Sequence, residues 1–210
     1  MNEETGLRER KKQRTRQTLS ETAIALFLER GFDKVSVAEV AAAAEVSKPT
    51  LFRYFPAKED LALHRIADHQ GEAARVVRER DSGTAPLAAL RAHFHARLDA
   101  HDPVTGLCDV PAVLAFRDML YSTPSLQARL MRYAAEDERA LAEALAEAGA
   151  DEVTAGLAAA QIIAVHHVLA RDNWRRLASG RSTVAVLGAA HADAERAYDL
   201  LGAGLAGQGL

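Results

Sequence analysis

Residues 36–61 read SVAEVAAAAEVSKPTLFRYFPAKEDL, and the punctuation of this stretch decides the fold of the N-terminal part of the chain. Ser36 followed three residues later by Glu39 has the capping-box pattern, in which each side chain satisfies a backbone N–H that the helix leaves unpaired. The spacing predicts a short helix over 37–44, ended by a tight break at Glu45-Val46. Ser47 offers a second cap for another short helix over 48–55, although Pro49 disfavours helical geometry at Lys48 and shifts the expected cap toward Lys48. Pro56 stops that helix and pre-sets the first turn of the next.

Two short helices joined by a tight turn form the helix-turn-helix pattern, provided the second has one face for the core and another for a partner. At the helical period Leu51 and Phe55 fall together, with Val46, on an inward side. Arg53, flanked by Pro49 and Thr50, lies opposite, with Phe52 and Tyr54 on the shoulders. Upstream, Leu19, Ala23, Leu26 and Phe27 recur at helical steps from about Thr15 to Arg30, and Gly31 can take the positive φ that ends a helix. Before them, residues 8–16 hold Arg8, Arg10, Lys11, Lys12, Arg14 and Arg16 against Glu9 alone.

That local charge stands out because the whole chain of 210 residues carries a net charge of −3. The distribution, rather than the sum, points to a polyanionic partner for the N-terminal segment. With 49% hydrophobic and 26% charged residues the composition is that of a soluble globular protein. No apolar run approaches the ~20 residues of a membrane span and no signal-peptide core is present, so a cytoplasmic protein without a membrane partner is expected. One cysteine, Cys108, excludes an internal disulfide. His93 and His95 diverge on a helix, as do His166 and His167, so no metal is expected. No phosphate loop or nucleophile triad has a recognisable context, so neither a cofactor nor enzymatic activity is expected.

Beyond residue 60 the apolar period predicts helices over 57–80, 86–101, 110–121, 125–148, 152–178 and 183–201, separated by Gly, Pro and Ser breakers. No strand pattern competes. The expected architecture is all-α with about nine helices. Residues 1–60 would form a three-helix domain with a basic N-terminal arm, and 61–210 a larger helical domain. Segment 155–170, AGLAAAQIIAVHHVLA, is apolar almost all round and must be covered on several sides. Paired with 183–201 it suits a four-helix homodimer interface.

The stretch 26–61 resembles the signature of the tetracycline-repressor (TetR) family. The resemblance rests on Leu26-Phe27, Gly31-Phe32, Ser36-Val37, Val46-Ser47-Lys48, Thr50-Leu51-Phe52, Tyr54-Phe55 and Lys58-Glu59 at their spacings. It implies a homodimeric regulator that binds a palindromic double-stranded DNA operator, with a small-molecule effector pocket in the C-terminal domain and repression relieved by that effector. On this reading Arg53 reads guanine or grips a phosphate, Thr50 and Pro49 contact bases, and Ser36, Lys48, Phe52, Tyr54 and Lys58 complete the DNA-binding surface, chiefly at phosphates. The basic stretch before the first helix follows the backbone or enters a minor groove. A dimer would set its two reading heads about 34–36 Å apart. Candidate effector contacts are Cys108, Arg117, Met119, Tyr121, His167, Arg171 and Trp174. The chain departs from the family in having Glu45 where glycine is usual, which costs about 1 kcal/mol if the residue takes a positive φ. It also has Pro49 where glycine is common and Phe52 where tyrosine is common. A competing reading is a helical small-molecule-binding or enzymatic protein whose basic N-terminus is incidental.

Overall fold

The computed structural model describes the backbone of residues 2–205 and side chains from residue 10 onward, so the Arg8 side chain lies outside the described set. Ten α-helices occupy the described residues: α1 (Asn2–Arg30), α2 (Val37–Ala43), α3 (Lys48–Tyr54), α4 (Lys58–Ala67), α5 (Glu72–Glu79), α6 (Pro86–Asp99), α7 (Pro111–Ser122), α8 (Pro124–Glu147), α9 (Glu152–Ala178) and α10 (Thr183–Leu205). Two 3-10 turns, Phe32–Lys34 and Pro103–Thr105, join them. There is no strand among the described residues, and the all-α expectation holds.

Two departures from the sequence reading have local causes. The expected basic arm is instead the first half of α1, because Arg, Lys, Gln and Glu are good helix formers and nothing between Leu7 and Arg30 breaks the helix. The expected helix over 57–80 is two helices. Gly71 sits in the left-handed region at φ 72 and caps α5, while its N–H donates to the Asp137 carboxylate at 2.7 Å. A left-handed residue cannot continue a right-handed helix, whatever apolar period runs across it.

The chain forms two compact units. The first comprises the residues through Asp68 with Ala115–Leu130, and the second comprises His69–Leu114 with the described residues from Met131 onward. The first unit therefore includes all of α4 and recruits the end of α7 and the start of α8. Its core holds Leu19, Ala23, Phe27, Phe32, Val40, Leu51, Phe55 and Leu61, all buried. Burying one such side chain stabilises the fold by about 1.5–3 kcal/mol. Phe27 and Phe32 meet edge to face at 4.9 Å. The Ser20 hydroxyl donates to the Leu61 carbonyl at 2.8 Å and ties α1 to α4. The buried Asp60 carboxylate accepts from Ala57 N at 3.1 Å and from Arg129 Nε at 2.7 Å, which holds the start of α8 against α4.

In the second unit α10 packs on α6 and α9 around Leu90, Phe94, Leu98, Ala158, Ala159, Ile162, Ala190, Ala194 and Leu201. The alanines let helix axes approach closely, and a few large side chains fill the space between. Tyr198 is fully buried and donates its hydroxyl to Leu90 O at 3.1 Å. That leaves the oxygen to accept from His166 Nε2 at 2.8 Å, an assignment the donor inventory requires. Burial pushes the His166 imidazole down to about 4, so the ring is neutral near pH 7. Glu72, at the first turn of α5, receives His69, His93 and Arg97 on its two oxygens. The hydrogen bonds from His69 and then His93 hold its carboxyl well below the usual carboxylate range.

The turn Pro103–Thr105 is docked on α9 by a buried hydrogen bond from Asn173 Nδ2 to Thr105 O, 3.0 Å. Gly106 follows it at φ +74, and a Cβ built there would lie 1.9 Å from the Ala170 carbonyl oxygen of α9. Both the backbone conformation and the close approach demand glycine. Gly106→Ala is expected to destabilise the protein by about 3 kcal/mol, from strain and overpacking together. Chemical denaturation checks this, and wild-type stability in that variant would show that the turn is not held against α9.

Candidate nucleic-acid interface

α2 begins as the sequence suggests. Glu39 N donates to Ser36 Oγ at 3.2 Å, and Ser36 N donates to Glu39 Oε2 at 2.8 Å. The Ser36 backbone N–H first, with the Arg30 guanidinium at 2.6 Å, holds the Glu39 carboxyl down to about 2. α2 ends in a Schellman closure: Val46 N donates to Ala41 O at 3.0 Å and Glu45 N to Ala42 O at 3.1 Å. Glu45 stands at the left-handed position of that closure with φ 55. The turn is therefore in place at a cost of about 1 kcal/mol relative to glycine.

Ser47 caps α3, accepting from Thr50 N at 3.2 Å. The cap is Ser47 and not Lys48, since the preference against helical geometry before proline is outweighed by this hydrogen bond. Pro49, in the first turn, has no N–H to leave unpaired. The Ser47 and Thr50 hydroxyls are also 2.8 Å apart. Leu51 and Phe55 are buried, and the opposite side of α3 exposes Lys48, Pro49, Phe52 and Arg53, with Thr50 and Tyr54 half-buried. Phe52 is 40% exposed, with Lys48 Nζ 5.8 Å from its ring centroid. The Arg53 guanidinium lies 5.6 Å from the Tyr54 ring. An aromatic ring among cations on an open helix face is a poor solvated surface and a good one for stacking and anion contact.

Lys58 is placed differently from the expectation of a phosphate contact. Its ammonium donates to the Phe32 carbonyl at 2.5 Å and lies 4.2 Å from the Phe32 ring and 5.4 Å from Phe27. Burial lowers its pKa. Lys58 braces the turn after α1 from inside the unit. Ser36 is exposed at the start of α2.

The expected effector contacts do not converge within one unit. Arg117, Met119 and Tyr121 belong to the first, where Arg117 Nη1 donates to the Tyr121 hydroxyl at 3.0 Å. Cys108, His167, Arg171 and Trp174 belong to the second. His167 and Arg171 lie on the exposed side of α9 beside Val168. The titratable clusters around Glu72 and Tyr198 escaped the sequence reading, because their partners lie on helices far apart in the chain. Among the described residues, no group of three or more His, Cys, Asp or Glu side chains is placed to hold a metal ion.

Residues 19–64 match the family model described as bacterial regulatory proteins, tetR family. Over 142 residues, 67% of the chain, it is 34% identical to the HTH-type transcriptional regulator TcmR of Streptomyces glaucescens, of which the match covers 63%. The chain thus spans less than two thirds of the length of the curated relatives it matches. Among solved structures, NalD, the secondary repressor of the MexAB-OprM multidrug efflux pump in Pseudomonas aeruginosa, superposes with a TM-score of 0.58. Identity there is 18%, over 88% of this chain and 97% of that one. A complex of SmeT with triclosan gives a TM-score of 0.53 at 16% identity, over 90% of each chain. At these identities the structures share the fold alone. The family model, the curated relative and the shared fold agree: residues 19–64 carry the segment characteristic of bacterial regulatory proteins of the tetR family, and the chain as a whole is similar to such regulators.

Proposed function

We propose that the protein is a homodimeric transcriptional repressor that binds a palindromic operator through α3, acts in the cytoplasm where that DNA lies, and is released by a small-molecule effector. The carrying observation is the two-sidedness of α3, which buries Leu51 and Phe55 while exposing Lys48, Pro49, Phe52 and Arg53. Thr50 and Pro49 are suited to thymine methyl groups, and Lys48, Tyr54 and Ser36 to phosphates. Arg53→Ala combined with Tyr54→Ala is expected to abolish the shift of DNA flanking the protein's own gene, with the helical circular-dichroism signal unchanged. Wild-type binding by that variant would remove α3 from the interface. The competing enzymatic reading predicts a flat salt dependence, whereas a DNA reader loses affinity with a slope of about −0.9 per phosphate contacted.

An apolar face supports the dimer. On α9, Leu157 is 59% and Val168 67% exposed, and on α10 Val184 is 83% and Leu200 71% exposed. Val153, Leu157, Ala164 and Val168 share one side of α9, and the neighbouring exposed positions Gly188, Ala189 and Ala192 of α10 are small. Contrary to the expectation that no apolar run approaches a membrane span, α9 is by length and composition long and apolar enough to cross one, a test that packed helices of soluble proteins also pass. An exposed patch of this kind marks an interaction surface, and we assign it to the same helices of a second copy. His167 and Arg171 then belong to this interface, which leaves Cys108 and Trp174 as the second unit's candidate effector contacts. Arg117, Met119 and Tyr121 are those of the first unit. Leu157→Glu with Val168→Glu is expected to convert the dimer to a folded monomer in sedimentation, with weakened operator binding. A dimer persisting at the same concentration would move the interface elsewhere.

Effector action is testable without knowing the compound. In a thermal-shift screen of metabolites, a ligand at 100 times its Kd stabilises by about 2.7 kcal/mol. Such a hit is expected to lower operator affinity as well. Hits that stabilise the protein and leave DNA binding untouched would argue against relief of repression by ligand.

A further inference from the structure

The N-terminal half of α1 and the end of α3 enclose a cleft of about 290 Å3, walled by Lys11, Lys12, Thr15, Arg16, Arg53 and Tyr54. Among the described wall residues, four of six are cationic and none is acidic. Lys11, Lys12, Thr15 and Arg16 stand on one face of α1, since positions one turn apart lie side by side. Among the described residues no carboxylate pairs with Lys11, Arg16 or Arg53, although arginines elsewhere in the molecule are bridged to Asp or Glu. Arg16 is fixed in place: Nη2 donates to the Tyr54 carbonyl at 3.4 Å, and its guanidinium lies 6.0 Å from the Phe55 ring. Its Nε–H is buried without an acceptor. Like charges gathered around a buried, unanswered donor are unfavourable unless an anion enters.

We propose that this cleft is a clamp for one backbone phosphate of the DNA duplex, with Arg53 gripping that phosphate from α3 while Lys11, Lys12 and Arg16 grip it from α1. The inference rests on the DNA-binding reading above and deepens it in two ways. It makes the basic run, expected as an arm, one wall of a cleft, because these residues are helical. It also assigns Arg53 to the backbone rather than to guanine, because its guanidinium lies beside the Tyr54 ring in the wall of the cleft that it shares with α1. Guanidinium forks suit phosphate oxygens, and the two ammonium groups add charge without geometry. The family match begins at residue 19, so the wall supplied by α1 lies outside the stretch that this chain shares with the family model.

The test uses the full chain and two duplexes of equal length: DNA flanking its own gene and a scrambled sequence. Lys11, Lys12 and Arg53 are exposed, so K11Q/K12Q and R53A should fold as wild type. Each is expected to weaken binding to both duplexes by the same factor. Each is also expected to shallow the salt slope by about 0.9 for the phosphate lost. Combining them should cost less than the sum of the two effects, because they hold one phosphate. Unchanged slopes in K11Q/K12Q, with a steep slope in wild type, would overturn the clamp alone. Loss of the preference for the flanking DNA in R53A would also overturn it, because that result would return Arg53 to base reading. A flat slope in wild type would overturn the clamp and the DNA-binding reading together.

Discussion

The constraint on which the rest depends is the anchoring of α3 by Leu51 and Phe55. Both are buried in a unit whose other large apolar side chains come from α1, the turn after it, α4, the end of α7 and the start of α8. With seven residues, α3 has too few internal hydrogen bonds to hold its own shape in water. Packing fixes its orientation, and the Ser47 cap and the closure at Glu45-Val46 fix where it starts. Once the inner face is set, the period of the helix leaves Lys48, Pro49, Phe52 and Arg53 no direction but outward.

Lys58 shows how closely this unit is braced. Its ammonium, close to the rings of Phe27 and Phe32, donates to the Phe32 carbonyl, which also accepts from Val35 N at 3.4 Å and so closes the short turn. A residue in a motif can thus serve the surface indirectly, by holding the scaffold beneath it. The Ser20–Leu61 and Asp60–Arg129 contacts act in the same way, tying α1 and the start of α8 to α4. The rigidity of the exposed face comes from polar contacts behind it.

In the second unit the organising elements are α9 and α10. One side of each is filled by alanines and a few large side chains, and the other remains apolar and open. The interior is not purely apolar. Tyr198 with His166, and Glu72 with His69, His93 and Arg97, carry hydrogen-bonded polar groups into the helix packing. Each partner pays the loss of hydration and is answered by another, as buried polar groups must be. The Thr105 carbonyl and Gly106 then press the loop after α6 onto α9 with no room for a side chain.

The amino-acid sequence by itself determined the features governed by near neighbours. The Ser36-Glu39 box, the break at Glu45 and the inward pair Leu51-Phe55 all follow from contacts within about one helical turn, where neighbours in the chain are neighbours in space. For the same reason the all-α class and the apolar stripe of α9 were legible. What the tertiary structure alone decided depends on groups distant in sequence. The left-handed Gly71 is held by Asp137 and ends α4 and α5 as separate helices, although the apolar period runs through it. The inward turn of Lys58, the division of the expected effector contacts between two units and the pairing of His166 with Tyr198 are likewise set by long-range contacts. The basic run of α1 belongs with them. Its charge was plain in the sequence, but only folding set it against Arg53, because helix packing brings together residues separated by some forty positions.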